Sequence, residues 1–137
     1  MLLTLMTIAL AGAGAGPNAD SVVGRWQTQT RGGVVEIQKC GTSVCGRILS
    51  SEGLRANPNL TDGNNRDPKL RNRPIKNLLI LQGFAQDGAA WSGGTIYNAE
   101  DGKTYSAKLT PEGADTLKVR GCVFVPLCKT QTWTRIR

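Results

Sequence analysis

From Gly24 onward the chain is a succession of short alternating segments cut by tight-turn residues, and that pattern leaves few folds open. Residues 103–109 set Tyr105, Ala107 and Leu109 on one face and Thr104, Ser106 and Lys108 on the other, the period of a half-buried strand. Leu117 and Val119 alternate in the same way with Thr116, Lys118 and Arg120. Further strands are expected at residues 24–30, 33–39, 45–50, 78–84, 90–97 and 129–136. Between them sit Arg31-Gly32-Gly33, Asp87-Gly88, Asp101-Gly102 and Pro111-Glu112-Gly113, residues suited to tight turns. Short turns make successive strands antiparallel neighbours. About eight such strands in meander order, each with one polar face, predict an all-β, antiparallel up-and-down barrel closed on itself. A β-sandwich is the alternative, because alternation alone does not separate the two.

Residues 51–77 break the pattern. A connection of 27 residues is long for a compact domain, where irregular loops beyond about 12–15 residues are uncommon unless they have a function. It is punctuated by Asn57-Pro58-Asn59, Asp62-Gly63-Asn64-Asn65 and Asp67-Pro68. Asp67 is placed to cap a helical turn that starts at Pro68, with Leu70 pointing inward. Pro74 then ends it. This insertion is expected to form a lid or a pocket rim.

Residues 2–15 are an apolar run that thins into alternating Ala and Gly, with small residues at Ala11, Ala13 and Ala15 and Pro17-Asn18 beyond. The run reads as an export signal over residues 1–15, cleaved near 13–19, ahead of one domain over residues 20–137. At 14 residues it is shorter than the roughly 20 that a transmembrane helix needs, so no transmembrane span is expected. A buried N-terminal helix is the alternative. No Lys or Arg precedes the run, which suggests a true start further upstream. No cysteine follows the run, so no lipid anchor is expected. The mature chain is expected in the periplasm or the medium.

The four cysteines form two close pairs, Cys40/Cys45 and Cys122/Cys128, each read as a hairpin tip where facing residues come within disulfide reach. Local pairing, Cys40–Cys45 and Cys122–Cys128, is favoured, and a crossed pairing stays open should the two tips adjoin. A four-thiolate zinc site is the rival, but the four and five intervening residues are wider than the usual zinc knuckle. No metal is expected.

Two sets of residues resemble known proteins. Gly24-Arg25-Trp26 and Trp133-Thr134-Arg135 are similar to the lipocalin arrangement, in which Gly-x-Trp closes the barrel base and a C-terminal Arg packs across the indole. A cation over Trp gains about 0.5–2 kcal/mol, and here it would tie the chain ends together. The resemblance gives Gly24, Trp26, Trp133 and Arg135 the role of barrel closure. The second set is longer. Asp62, Asn65, Asp67-Pro68, Leu70-Arg71, Arg73-Pro74, Trp91, Gly93-Gly94, Ile96-Tyr97-Asn98, residues 101–105, 117–121 and 130–135 follow in an order that resembles domain-of-unknown-function family 2147. That family comprises small exported bacterial proteins with a lipocalin-like barrel. Asn77 stands where the pattern has Gly, and Arg66 where it usually has Pro. The resemblance implies an architecture and a compartment, and no reaction.

The chain has no histidine, which excludes histidine triads, histidine zinc sites and imidazole pH switches. Its serines lie in no nucleophile motif, and the paired acids Asp62/Asp67 and Glu100/Asp101 are explained by turns and caps. Residues 62–67 are a poor calcium loop, with a misplaced Gly, no following bidentate Glu and Arg66 intruding. Neither catalysis nor a cofactor is expected.

Charge and geometry say more. Lys and Arg number 17 against 10 Asp and Glu, a net charge of +7, which attracts anionic headgroups, acidic partners or nucleic acid. Only 7 aromatic residues and an exported location argue against a base-stacking platform, so no nucleic acid is expected. An eight-stranded barrel has room for side chains or one small ligand. Ile48, Leu79, Leu81, Ile96, Tyr105, Leu117 and Val119 are candidates to line it. Arg71 or Arg73 could meet an anionic headgroup bidentately, or pair with Asp62 or Asp67 to hold the insertion. With Trp91, Tyr97 and Tyr105 they make the candidate ligand site. The expected function is monomeric, non-enzymatic binding of a small hydrophobic or amphiphilic ligand, anionic ones included. The alternative is a side-chain-filled barrel that acts as an envelope-associated interaction module through a basic patch of Arg71, Arg73, Arg120 and Arg135.

Overall fold

The computed structural model describes residues 18–137, and the expected export signal at residues 1–15 lies outside the described residues. The alternating segments become β1 (Gly24–Gln27), β2 (Val34–Cys40), β3 (Ser43–Ser50), β4 (Leu79–Gln82), β5 (Ala85–Asp87), β6 (Ala90–Asn98), β7 (Lys103–Glu112), β8 (Thr116–Phe124) and β9 (Leu127–Ile136). Neighbours run in the order β4-β3-β2-β1-β9-β8-β7-β6-β5. Two antiparallel ladders close the ring: β1 on β9, with Trp26 opposite Arg135, and β4 on β6, with Leu81 opposite Ile96. Eight strands therefore form a closed barrel, and β5 hangs from β6 as an extra strand. Closure leaves no long sheet edge and rules out the sandwich. Strand β5 has no sequence signal because all of its residues are exposed, so nothing in it alternates.

The inward faces carry the core. Trp26, Val35, Ile37, Val44, Leu81, Trp91, Leu109, Leu117, Val119 and Trp133 pack into one cluster, each large side chain contributing about 1.5–3 kcal/mol of burial. In an antiparallel meander the connections emerge at alternate ends. The β2–β3 and β7–β8 turns and the N-terminal 3-10 turn Ala19–Val22 share the base. The loop at 28–33, the insertion at 51–78, the turn at 99–102 and the β8–β9 tip share the opposite end, the mouth.

The base is sealed by hydrogen bonds to the 3-10 turn. Trp26 Nε1 donates to the Val22 carbonyl at 2.9 Å, and Trp91 Nε1 to that of Ala19 at 2.8 Å. The Arg135 guanidinium lies 4.4 Å from the centre of the Trp26 ring. It also donates to the carbonyls of Ala114 at 2.7 Å and Val23 at 2.9 Å. Gly24 permits this crossing: its φ is +136°, and a Cβ there would stand 2.5 Å from the Arg135 guanidinium. Arg135 is thus spent at the base while Arg71 and Arg73 sit on the mouth insertion. Arg135 therefore takes the closure role expected of it, and the single patch of the alternative reading does not form, since Arg135 stands at the opposite end of the barrel from Arg71 and Arg73.

Both cysteine pairs are joined locally. Cys40–Cys45 and Cys122–Cys128 have Cα atoms 5.9 and 4.0 Å apart, and no cysteine is free. Within the insertion, Ser51 caps a short helix α1 (Glu52–Ala56), too brief to leave a helical period. Asp67 accepts from the Lys69 N–H and caps the 3-10 turn Pro68–Leu70. Leu70 does not point inward: it is 38 % exposed, because a single turn on the rim lies above the core and has no interior to face.

Candidate functional site

The mouth is organised around one buried carboxylate. Asp62 is 1 % exposed, and both of its oxygens are occupied. Oδ1 accepts from the Tyr97 hydroxyl at 2.7 Å. Oδ2 accepts from Asn65 Nδ2 and from Arg73 Nε, each at 2.8 Å. The Arg73 guanidinium also lies 5.1 Å from the centre of the Tyr97 ring. The backbone repeats the tie: the Asp62 N–H donates to the Arg73 carbonyl at 3.0 Å, and Thr61 bridges to Pro74.

These contacts set the protons. Burial pushes the Asp62 carboxyl up, but hydrogen bonds from Asn65, Tyr97 and Arg73, together with the Arg73 charge, outweigh it and hold the group below its ordinary 3.8. Tyr97 is pushed up to about 12, by burial first and then by its bond to the Asp62 carboxylate. At neutral pH the pair is a fixed anion and a fixed donor. That suits a support better than a proton carrier.

The insertion is docked on the turn between β6 and β7. Asn64 Nδ2 donates to the carbonyls of Ala99 and Glu100 at 3.3 and 3.1 Å, and Arg66 Nε to that of Asp101 at 3.3 Å. Gly102, at φ +70°, lies so close that a Cβ would fall 1.8 Å from the Asn64 carbonyl oxygen. Across the turn the Tyr105 hydroxyl donates to Asp101, and that bond raises the phenol's pKa.

Between the insertion and the strand ends lies an open cleft of about 630 Å³, within the range of small-ligand sites. Its lining mixes apolar surface from Leu70, Leu79, Val123 and the rings of Tyr97 and Tyr105 with the cations Arg66, Arg73 and Lys103 and one carboxylate, Asp67. Lys103 is exposed and enters no ion pair among the described residues.

Of the residues singled out in the sequence, Arg73, Tyr97 and Tyr105 are brought together here. Arg71 is beside the cleft and exposed, its Nε donating to the Asn65 carbonyl at 2.8 Å. Trp91 stands apart, buried at the base. Leu79 is on the wall, whereas Leu81, Leu117 and Val119 are packed into the core. Lys103 and Val123 were not foreseen. Strand parity could have found them, since the 51–77 connection, the 101–102 turn and the tip after Cys122 must emerge at one end of a meander barrel.

A family model described as "Uncharacterized protein conserved in bacteria (DUF2147)" matches residues 24–135, from the start of β1 almost to the end of β9. No curated protein matches the chain. Among solved structures, protein HP1028 from the human pathogen Helicobacter pylori, described as belonging to the lipocalin family, is similar with a TM-score of 0.77. The two are 27 % identical, over 85 % of this chain and 83 % of that one. A closed antiparallel barrel with a sealed base and an elaborated mouth, matched over almost all its strands, makes this chain a member of the DUF2147 family with a lipocalin-like fold.

Proposed function

We propose that the protein is an exported, non-enzymatic binding protein that holds a small amphiphilic molecule with an anionic head in the mouth cleft. The observation that carries this reading is the make-up of the cleft lining, which combines apolar side chains with three cations, Arg66, Arg73 and Lys103, against one carboxylate, Asp67. An alkyl tail would lie against Leu70, Leu79 and Val123, and a carboxylate or similar head would meet the cations. Because tryptophans fill the lower barrel, the ligand sits at the mouth rather than deep inside. The two disulfides suit an oxidising compartment, which supports export.

Titration with cis-parinaric acid, a fluorescent long-chain carboxylate, tests the site. Saturable binding is expected, weakened about tenfold by Lys103→Glu, the size of one lost charge-assisted contact. Leu79→Asp should weaken it too, by putting a carboxylate where the alkyl tail would lie. Absence of binding, or wild-type affinity in both variants, contradicts the reading.

A further inference from the structure

The β8–β9 hairpin ends in Val123, Phe124, Val125, Pro126 and Leu127. Its four large apolar side chains are 65, 61, 74 and 58 % exposed, more than any other large apolar residue among the described ones. Consecutive apolar residues put such side chains on both faces of the hairpin. They are exposed because the β7–β8 ladder ends at Ser106–Cys122, so the tip peels away from the wall that would cover them. Contiguous apolar exposure of this kind marks a contact surface. The tip is also braced: Cys122–Cys128 joins the two strands at its neck, and Arg120 Nη2 lies 3.3 Å from Cys128 Sγ. A braced segment loses little conformational freedom on docking.

Charge selects the partner. The connections at the mouth, with Lys103 and Lys129 beside them, carry nine basic and five acidic residues. Two ion pairs, Arg73–Asp62 and Arg31–Glu100, leave seven of these bases against three acids, and no acid occurs between residues 118 and 137. A second copy docked tip to tip would press two basic collars together, which like-charge repulsion opposes. A short apolar wedge inside a basic collar instead matches an anionic bilayer, whose acyl boundary takes the wedge while the headgroups meet the cations. We propose that the Val123–Leu127 tip inserts into the interface of anionic membranes and holds the mouth against the lipid surface. Val123 is both the first residue of the wedge and part of the cleft wall, so docking would set the cleft opening beside the headgroups. The docking rests on the tip and its collar, and stands whether or not the cleft takes an amphiphile.

Co-sedimentation with phosphatidylglycerol/phosphatidylethanolamine vesicles, with phosphatidylcholine vesicles as the comparison, tests this on the full folded chain. Binding is expected to the anionic vesicles only, to fall with added salt, and to drop about fivefold in Lys129→Gln, the effect of one collar charge. Val125→Asp, at an exposed position, should lose about tenfold or more while circular dichroism and cis-parinaric acid binding in vesicle-free buffer stay unchanged. That second readout separates failure of docking from failure of the cleft. Trp26, Trp91 and Trp133 are buried, so Phe124→Trp adds an exposed reporter, whose emission should shift to the blue on vesicles and be quenched by brominated acyl chains. Equal binding to both vesicle types, an unquenched reporter, or a Val125→Asp variant that dissolves a dimer yet still binds vesicles would each overturn the proposal.

Discussion

A carboxylate as deeply buried as Asp62 persists only while its donors stay in place. Tyr97 is one of three, so Tyr97→Phe is expected to cost about 1.5–3 kcal/mol, the range for a hydrogen bond to a charged group. The pH dependence has a definite direction. Tyr97 holds its proton up to about 12 when folded against 10.0 when unfolded. Its contribution is therefore complete below pH 10 and is lost as pH rises from there to about 12. Asp62 runs the other way: its folded value lies below 3.8, so its contribution is present above that value and lost as pH falls through it. Urea unfolding measured from pH 9 to 12 should show stability declining in the wild type and a shallower decline in Tyr97→Phe. At this scale some of the site was legible. Asn77, read as standing where Gly belongs, has a φ of 64°, the left-handed region that Asn tolerates better than most residues. The pairing of Arg73 with Asp62 was open as one of two readings. The Tyr97 hydroxyl as a third partner was not visible, because alternation assigns a face and says nothing about which loop folds over it.

Among the elements, the insertion depends on a turn distant in sequence. Gly102→Ala would drive a methyl group into the Asn64 carbonyl and strain a left-handed backbone position at once. Residues 62–67 should then lift from the β6–β7 turn. The expected outcome is weaker cis-parinaric acid binding and faster amide exchange at Asn64 and Asn65, with the barrel strands still protected; unchanged exchange there would show that the turn does not hold the insertion. The sequence marked this segment as functional by its length and its capped 3-10 turn, but not its docking. The helix α1 and strand β5 left no period because each is only one turn or three residues long. Leu70 shows the same limit, since a cap predicts a turn and not the direction in which its side chains face.

The whole molecule is a ring whose ends meet at Trp26 and Arg135. Arg135→Ala removes the cation from the indole and leaves the Ser21, Val23 and Ala114 carbonyls short of a donor. A loss of about 2–4 kcal/mol is expected in urea unfolding, and Arg135→Lys should recover little of it because a single ammonium cannot span the three acceptors. A loss below about 0.5 kcal/mol would mean that Arg135 behaves like a surface charge. The meander order was readable from period and turn chemistry, and local disulfides were the favoured pairing from cysteine spacing; closure into a barrel rather than a sandwich was carried by the family resemblance. How far the barrel is filled was not readable, since the same inward-facing residues can line a hollow or pack across it. Three buried tryptophans take up the lower barrel, and the open cleft lies where the insertion overhangs the strand ends. The most direct measurement is therefore amide chemical-shift mapping of the folded chain titrated with a long-chain carboxylate. Saturable shifts confined to Leu79, Tyr97, Lys103, Tyr105, Val123 and the 62–73 loop are predicted. Shifts centred on Trp26, Trp91 and the base, or none on saturation, would contradict a binding site at the mouth.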